Sequence, residues 1–201
     1  MTTPKSPGRP RAFDERAIVD AVMELFWRQG YADTSVPDIS AATGLSTSSL
    51  YNVYGSKLGL FQAALERYLE TVIDGRMIGP LQRGAAGLAD VEAFLRRLEA
   101  TVDRTPARGC LAVNTMAEQR HLPPELAASP DAYRTRVRTA LHAAFSRAAA
   151  HGEIPTAAID ARTEAITAIV IAFNLLVAAQ APAAECHSVL RAARSVAAGS
   201  A

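Results

Sequence analysis

The stretch 34-TSVPDISAATGLSTSSLYNVYGSK-57 decides the fold of this chain, because it predicts two short helices with almost no chain between them. Ser35 followed three residues later by Asp38 is typical of a capped helix start, and Pro37 fits the first helical turn. Gly44 marks the end of this helix, since glycine readily takes the left-handed conformation that closes helices. The first helix therefore has only about two turns.

The second helix begins after the tight turn at Gly44. Ser46 is its predicted N-cap, and it runs to about Tyr54, where Gly55 interrupts it. Ser56 can cap a further helix that follows at once. Two short helices joined by a glycine turn and packed on a longer helix form a helix-turn-helix, whose second helix lies in the major groove of DNA.

Small hydroxyl side chains fill the first turn of this second helix, at Ser46, Thr47, Ser48 and Ser49. Short hydroxyl groups let the backbone approach a ligand closely, and they can donate or accept hydrogen bonds with bases and phosphates. The free amide groups at a helix N-terminus also favour anions. The helix geometry alone leaves two interpretations open, a DNA-reading helix and a solvated structural turn.

The whole chain has the composition of a folded all-α protein. Its 201 residues are 49% hydrophobic, which is enough to bury a core. Helical spacing recurs throughout, strand signals are nearly absent, and the glycine and proline punctuation predicts about nine helices. The first of them covers residues 14–30, with Gly30 as its C-terminal cap. The formal net charge is +1, so affinity for nucleic acid has to arise from local placement of charge.

The N-terminal residues and the two cysteines predict a cytoplasmic protein. The chain opens with a polar segment that lacks the apolar region of a secretory signal, and Cys110 and Cys186 are too few for a disulfide framework. The most apolar run, 165–179, is shorter than the roughly 20 residues that cross a bilayer, and it contains Thr167 and Asn174. We therefore expect a buried helix or a subunit interface there, and no membrane contact.

From about Arg9 to Leu65 the chain resembles the TetR family of one-component transcription regulators. The matching segments are 8-GRPR-11, 25-LFWRQGY-31, the stretch 34–57 quoted above, and Leu60-Phe61. The resemblance implies a flexible basic arm (1–11), a three-helix helix-turn-helix DNA-binding domain (12–56) and a helical ligand-binding and dimerisation domain (57–201). It also implies a homodimer that represses by binding a pseudo-palindromic double-stranded DNA operator and is released by a small-molecule effector, with no enzymatic activity and no cofactor.

The resemblance assigns DNA contacts by matching position. Thr47, Ser48 and Ser49 would face bases, and the tyrosines and the lysine that follow them would contact phosphates. The predicted DNA-binding residues are Arg9, Arg11, Ser35, Ser46, Thr47, Ser48, Ser49, Tyr51, Asn52, Tyr54 and Lys57. Since the reading helix contains no arginine, the commonest reader of guanine, we expect phosphates to supply much of the affinity and the salt dependence to be steep.

The sequence departs from the family pattern just after the reading helix. Family members often carry His or Tyr at position 53 and Phe at position 54, where this chain has Val53 and Tyr54. A glutamate is common after Lys57, where this chain has Leu58 and Gly59. Glycine in an early helical turn costs about 1 kcal/mol relative to alanine, so we predict a loosened joint between the reading helix and the core.

The apolar C-terminal helices are predicted to form the dimer interface, because in TetR-like dimers the last two helices pair with their copies as a four-helix bundle. The interface candidates are Ile169, Phe173, Leu176, Val177, Val189 and Leu190.

The segment 108-RGCLAVNTMAEQ-119 resembles one branch of these regulators, some of which sense electrophiles or oxidants through a cysteine. Cys110 is next to Arg108 and near a predicted helix start, and both features stabilise a thiolate. The alternative is a small, inert, buried thiol. Cys186 is a weaker candidate. The predicted lining of an effector pocket, including the sensor candidate, is Tyr68, Phe94, Leu98, Cys110, Asn114, Met116, Tyr133 and Phe173.

Two other classes of protein remain as alternatives. Glu118 and His121 form a Glu-x-x-His, which is half of the motif that di-iron helical bundles use, but its second copy and two further glutamates do not appear in the sequence. No metal site is therefore predicted. A helical protein-interaction module that has lost DNA binding is the other alternative, and the weak overall basicity permits it.

Overall fold

The computed structural model describes residues 14–103, 108–118, 123–126 and 129–199, and all regular structure in these ranges is helical. The helices are α1 (Glu15–Asp33), α2 (Val36–Thr43), α3 (Thr47–Tyr54), α4 (Lys57–Tyr68), α5 (Gly79–Arg83), α6 (Leu88–Glu99), α7 (Leu111–Ala117), α8 (Ser129–Ala150), α9 (Ile159–Ala178) and α10 (Ala183–Ala198). A π-helical segment, Leu69–Met77, prolongs α4, and single 3-10 turns cover Pro124–Leu126 and Thr156–Ala158. The all-α prediction is confirmed. The predicted arm with Arg9 and Arg11 lies outside the described residues.

The helix borders differ from the predictions where glycine and proline signals are ambiguous. The short helix α5 lies where the sequence predicts only a loosened joint, so the described residues contain ten α-helices rather than nine. Gly30 leaves helical geometry, with φ 78° and ψ 172°, and three residues continue as a last turn beyond it. The predicted end of helix one at Gly30 is therefore a kink.

Helices α1 to α4 form the first packing unit. The Phe26 ring of α1 meets the Phe61 ring of α4 edge to face at 4.9 Å between centroids. Ile39 of α2 and Leu50 of α3 are fully buried and fasten the two short helices to this pair. Arg67 Nε donates to Asp20 at 2.7 Å and adds a bridge between α1 and α4.

The remaining helices enclose a second core, to which Phe94, Phe145 and Phe173 contribute fully buried rings. Helices α8, α9 and α10 pack side by side, and α6 packs on α8 and α10. Arg194 of α10 forms ion pairs with Glu92 and Glu99 of α6, at 3.1 Å and 2.7 Å respectively. Helix α7 lies between the two units and packs on α1 as well as on α8 and α9.

The dimer interface predicted from the sequence includes residues that are buried inside the single chain. Phe173 and Val177 of α9 and Leu190 of α10 point into the chain's own core and are 0%, 4% and 0% exposed. Their side chains therefore have no surface left for a second copy, so these three predictions are wrong. Ile169, Leu176 and Val189 are half-buried and keep accessible surface.

Helix α9 is also longer than its predicted apolar run. Together with the turn before it, over Thr156–Ala178, it has the length and apolar composition of a membrane-crossing helix. Its inner side belongs to the core described above, as expected for the central helix of a folded domain.

Candidate nucleic-acid interface and effector cavity

The first helix of the predicted helix-turn-helix begins with the reciprocal cap that the sequence predicts. The Ser35 amide donates to Asp38 Oδ2 at 2.9 Å, and the Asp38 amide donates to Ser35 Oγ at 3.3 Å. The Ser35 hydroxyl also donates to Asp38 Oδ2, and this hydrogen bond is the main cause of a lowered pKa at Asp38. The Ser35 hydroxyl thus caps α2, and it is also exposed to solvent.

The turn between α2 and α3 has the predicted geometry. Gly44 takes the left-handed conformation, with φ 69°, and its amide donates to the Ser40 carbonyl at 2.9 Å. Ser46 is the N-cap of α3, because its Oγ accepts the Ser49 amide at 3.2 Å. The same Oγ lies 2.9 Å from the hydroxyl oxygens of Ser48 and Ser49. Three hydroxyls therefore form one connected cluster at the tip of α3.

The outer face of α3 is open to a ligand. Thr47, Ser48 and Asn52 are exposed, and the Tyr51 side chain is 39% exposed. Val53 is 65% exposed, which makes it the most accessible large apolar side chain of the described residues. Val53 is not among the predicted DNA contacts, although its departure from the family pattern was a signal.

Tyr54 and Lys57 lie at the base of the motif rather than on its outer face. The Tyr54 hydroxyl is buried without a hydrogen-bond partner among the described residues, and burial raises the pKa of this phenol. The Lys57 ammonium lies 4.4 Å from the centre of the Tyr31 ring and donates to the Ala32 carbonyl at 3.4 Å. Partial burial lowers the pKa of Lys57. A phosphate contact from the Tyr54 hydroxyl would therefore require this side chain to change conformation.

A cavity of about 350 Å³ lies between α1, the π-helical segment, α6, α8 and the start of α7. Aromatic side chains form much of its wall, including Trp27 of α1, which the sequence analysis did not select. The predicted pocket residues that line it are Tyr68, Phe94, Leu98, Cys110 and Tyr133. Asn114 lines a neighbouring cleft, Met116 packs at the edge of the core, and Phe173 is buried inside it. The prediction that Asn114, Met116 and Phe173 line this cavity is therefore wrong.

Cys110 lies inside this cavity as a buried thiol. Burial raises the pKa of this thiol and outweighs the opposing influence of the Tyr68 and Tyr133 hydroxyls. Arg108 is next to Cys110 in the sequence and was predicted to stabilise a thiolate, but its guanidinium donates to Glu24 Oε2 at 2.7 Å and lies over the Trp27 ring. The burial of the thiol and the pairing of Arg108 with Glu24 favour the alternative of a buried, unactivated thiol over an activated thiolate. Cys186 is buried too, and burial raises its pKa.

Helix α7 is attached to α1 at both of its ends. At the first end, Trp27 Nε1 donates to the Gly109 carbonyl at 3.1 Å, beside the Arg108–Glu24 ion pair. At the other end, the Tyr31 amide donates to Glu118 Oε2 at 3.3 Å. A helix that borders the cavity therefore holds the longest helix of the helix-turn-helix unit.

The described residues contain no group of three or more His, Cys, Asp or Glu side chains placed to hold a metal ion. The Glu-x-x-His alternative cannot be placed, because His121 lies outside the described residues.

The two packing units correspond to two known families of domains. Residues 18–64 match the family described as bacterial regulatory proteins, tetR family, and residues 87–193 match the tetracyclin repressor-like C-terminal domain. The chain belongs to the TetR family. As a TetR-family protein it is a helix-turn-helix transcription regulator, and its matched relatives are regulators rather than enzymes.

Two curated relatives of this TetR-family protein cover different lengths. The HTH-type transcriptional repressor ComR of Escherichia coli (strain K12) is 37% identical over 113 residues, which are 55% of this chain and about half, 53%, of ComR. The uncharacterized HTH-type transcriptional regulator YezE of Bacillus subtilis (strain 168) is 30% identical over 151 residues, which are 73% of this chain and 76% of YezE.

Solved structures match nearly the whole TetR-family chain. A cysteine-substituted form of the regulator CifR, complexed with 26-bp double-strand operator DNA, is 26% identical with a TM-score of 0.78 and covers 93% of this chain and 98% of its own. A TetR regulator from Chloroflexus aurantiacus J-10-FL is 26% identical with a TM-score of 0.76, covering 89% of this chain and 90% of its own.

Proposed function

We propose that this TetR-family protein is a cytoplasmic repressor that binds a pseudo-palindromic operator as a homodimer and leaves it when a small molecule enters the cavity beside Cys110. The observation that carries this proposal is that α1 of the helix-turn-helix unit forms part of the cavity wall. Glu24 and Trp27 belong to α1 of the helix-turn-helix unit, yet both line the cavity. A ligand there touches the DNA-binding unit directly. The proposed domains remain a basic arm (1–11), a DNA-binding domain (12–56) and an effector and dimerisation domain (57–201).

The operator contact is supported by the exposed face of α3. Its first turn presents Thr47 and Ser48 outward, while the fully buried Leu50 fixes the helix from behind. Small hydroxyls allow the N-terminus of the helix to approach base edges and phosphates. In a dimer the two reading helices would enter successive major grooves about 34–36 Å apart. CifR, with which this chain shares its fold, has been solved on operator DNA.

The homodimer is supported by apolar surface that remains on the last two helices. Ile169 and Leu176 of α9 and Val189 of α10 are half-buried, and Leu175, which the sequence analysis missed, is 40% exposed. Pairing of α9 and α10 with their copies would cover this surface in a four-helix bundle. Leu175→Glu would then shift the protein towards monomer in sedimentation velocity, and an unchanged dimer would count against this interface.

Release is supported by the three contacts that join α7 to α1. A ligand seated between Trp27 and Cys110 would displace the Trp27–Gly109 hydrogen bond and the Arg108–Glu24 ion pair, whose residues line the cavity, and would shift α1. Each neutral hydrogen bond contributes about 1 kcal/mol and an exposed ion pair less than that. Their sum matches the roughly 1–3 kcal/mol of coupling that changes an affinity 5- to 150-fold. The buried, protonated thiol favours a non-covalent ligand over modification of Cys110 by an electrophile or oxidant.

The proposal is tested by selecting DNA fragments with the purified protein and measuring binding to the selected operator by fluorescence anisotropy. Exchanging Thr47 and Ser48 together for alanine should weaken binding at least tenfold, since direct base contacts contribute about 1–3 kcal/mol each. The matched control exchanges the exposed Thr135 and Thr139 of α8 for alanine and should bind normally. Affinity should also fall steeply with salt. Selection of no sequence, or equal losses in both variants, would refute DNA recognition by α3.

A further inference from the structure

We propose that the effector of this cavity is a small amphiphilic carboxylate, with an apolar body inside the cavity and its anionic group at Arg76. The inference rests on the proposed function, because it specifies the ligand of the same site. It follows from three properties of the cavity: an uncharged inner end, a positively charged outer end and a limited volume.

The inner end of the cavity is apolar and carries no charge at neutral pH. Its polar groups are the thiol of Cys110, the phenols of Tyr68 and Tyr133 and the uncharged amide of Asn174, and burial raises the pKa of the thiol and of both phenols. The apolar lining residues are Val72, Ile73, Met77, Ile78, Phe94, Leu98 and Val137. An ionised group placed there would lose its hydration without gaining a counter-charge. The body of the ligand that fits this end is therefore apolar or aromatic.

The outer end of the cavity has a positive balance of charge. Three charged residues line the cavity, namely Glu24, Arg76 and Arg108, and none of them is buried. Glu24 and Arg108 pair at 2.7 Å and so largely neutralise each other. Arg76 forms no ion pair within the part of the chain that the structure describes, and its side chain is exposed. One guanidinium is thus left to receive an anion, and guanidinium groups bind carboxylates with two parallel hydrogen bonds.

The volume sets the size of the ligand. A cavity of about 350 Å³ corresponds to roughly a dozen water molecules at ~30 Å³ each. Since an apolar cavity of about 150 Å³ binds benzene, this volume has room for a ligand of up to about fourteen non-hydrogen atoms. A phenyl ring that carries a short carboxylate chain meets the apolar, charge and size requirements together.

Trp27 gives a direct readout of occupancy, because it is the chain's only tryptophan and it lines the cavity. Its fluorescence can be followed in the full-length protein, without DNA, during titration with 3-phenylpropionate. The two matched probes are the neutral 3-phenylpropanamide and the cationic 3-phenylpropylamine. We expect the carboxylate to bind about fivefold or more tightly than the amide and the amine to bind weakest. High salt should reduce the advantage of the carboxylate.

Two charge-matched variants locate the anion. Arg76→Gln should remove the preference for carboxylate over amide, whereas Arg83→Gln, which removes an exposed arginine that does not line the cavity, should keep it. Equal binding of carboxylate and amide, tightest binding of the amine, equal losses in both variants, or no saturable binding of 3-phenylpropionate up to about 10 mM would overturn the inference.

The operator assay separates this inference from the proposed function. A protein that binds its operator but shows no carboxylate preference refutes the ligand class alone. A protein that binds 3-phenylpropionate through Arg76 but selects no DNA refutes the proposed function alone. Carboxylate binding that leaves operator affinity unchanged would show that the cavity is not a release site for this ligand.

Discussion

Gly59→Ala is expected to destabilise the protein, although alanine is the better helix former. Gly59 lies in the first turn of α4, where the end of α3 crosses it. A Cβ atom at this position would lie 2.0 Å from the Tyr54 carbonyl oxygen. That oxygen belongs to the backbone and accepts the Ser56 amide at 2.9 Å, so it has little freedom to move away. The glycine therefore allows α3 and α4 to approach closely, which replaces the loosened joint predicted from the sequence with a tight one.

The size of the effect follows from two opposing contributions. Exchange of glycine for alanine in a helix interior stabilises by about 1 kcal/mol. Forcing an extra methyl group into a packed site costs typically about 1–3 kcal/mol, and a contact of 2.0 Å belongs at the upper end of this range. We expect a net loss of about 1–2 kcal/mol, which lowers the melting temperature of a domain this size by roughly 2–8 °C.

Thermal unfolding at one fixed protein concentration measures this loss, because dimer stability depends on concentration. Gly75→Ala is the matched control, since a Cβ there would meet only the Glu70 carbonyl oxygen, at 3.4 Å. The control should be neutral or slightly stabilising. Operator affinity should fall only in Gly59→Ala, because separating α3 from α4 displaces the reading helix. A Gly59→Ala protein as stable as the natural chain would refute the steric argument.

Three further predictions concern α7, the thiol and acid stability. Glu118→Gln weakens the acceptor of the Tyr31 amide hydrogen bond, so it should reduce operator affinity severalfold with little change in melting temperature. An operator titration by fluorescence anisotropy that matches the natural protein would contradict this. Cys110→Ser should retain operator binding and release by the non-covalent ligand, because the thiol is protonated; loss of release would restore a covalent role. Arg67 lowers the pKa of Asp20 in the folded protein, so this ion pair stabilises the fold at pH values above the pKa that Asp20 has in the unfolded chain. The free energy of unfolding, measured by urea titration, should therefore exceed that of Asp20→Asn at neutral pH, and the difference should shrink below about pH 4.

The helix-turn-helix could be predicted because its decisive interactions are local in sequence. Ser35 and Ser46 each cap a helix through an amide three residues away, and Gly44 needs only its own left-handed backbone. Ser56 likewise caps α4 through the Gly59 amide at 3.1 Å. Interactions of this range depend on residue type and spacing alone, so a single sequence contains the information that fixes them.

The cavity could be predicted only in part because its walls are distant in sequence. Tyr68, Cys110 and Tyr133 come from three separate elements, and residue type suggested them without their arrangement. Arg108 was expected to face Cys110, but it pairs with Glu24, 84 positions earlier. An arginine next to a cysteine in the chain has several directions available, and only the packing of α7 against α1 selects one. The raised pKa at Cys110 follows from the same packing.

The dimer interface could be predicted only in part from the sequence, for a different reason. In an apolar helix such as α9, residue type does not distinguish the face that packs on the chain's own core from the face that would pack on a second copy. Phe173 and Val177 are as apolar as Ile169 and Leu176, yet only the latter pair keeps accessible surface. Large aromatic side chains gain most from complete burial, which favours a core position for Phe173, but size does not separate the buried Val177 from the accessible Leu176.

The position of α1 explains how one ligand can control DNA binding in a fold this small. The helix contributes Glu24 and Trp27 to the cavity. Just beyond the kink at Gly30 it also contributes Tyr31, whose ring packs 5.1 Å from Phe61 and lies under the Lys57 ammonium. A shift of α1 caused by a ligand at Trp27 would therefore be transmitted to the start of α4, which holds α3 through the close contact at Gly59. Each link is a packed contact rather than a flexible linker, and packed contacts transmit small displacements because protein interiors are close-packed and hardly compressible. The same tightness that makes Gly59 intolerant of a methyl group thus makes the reading helix responsive to the cavity.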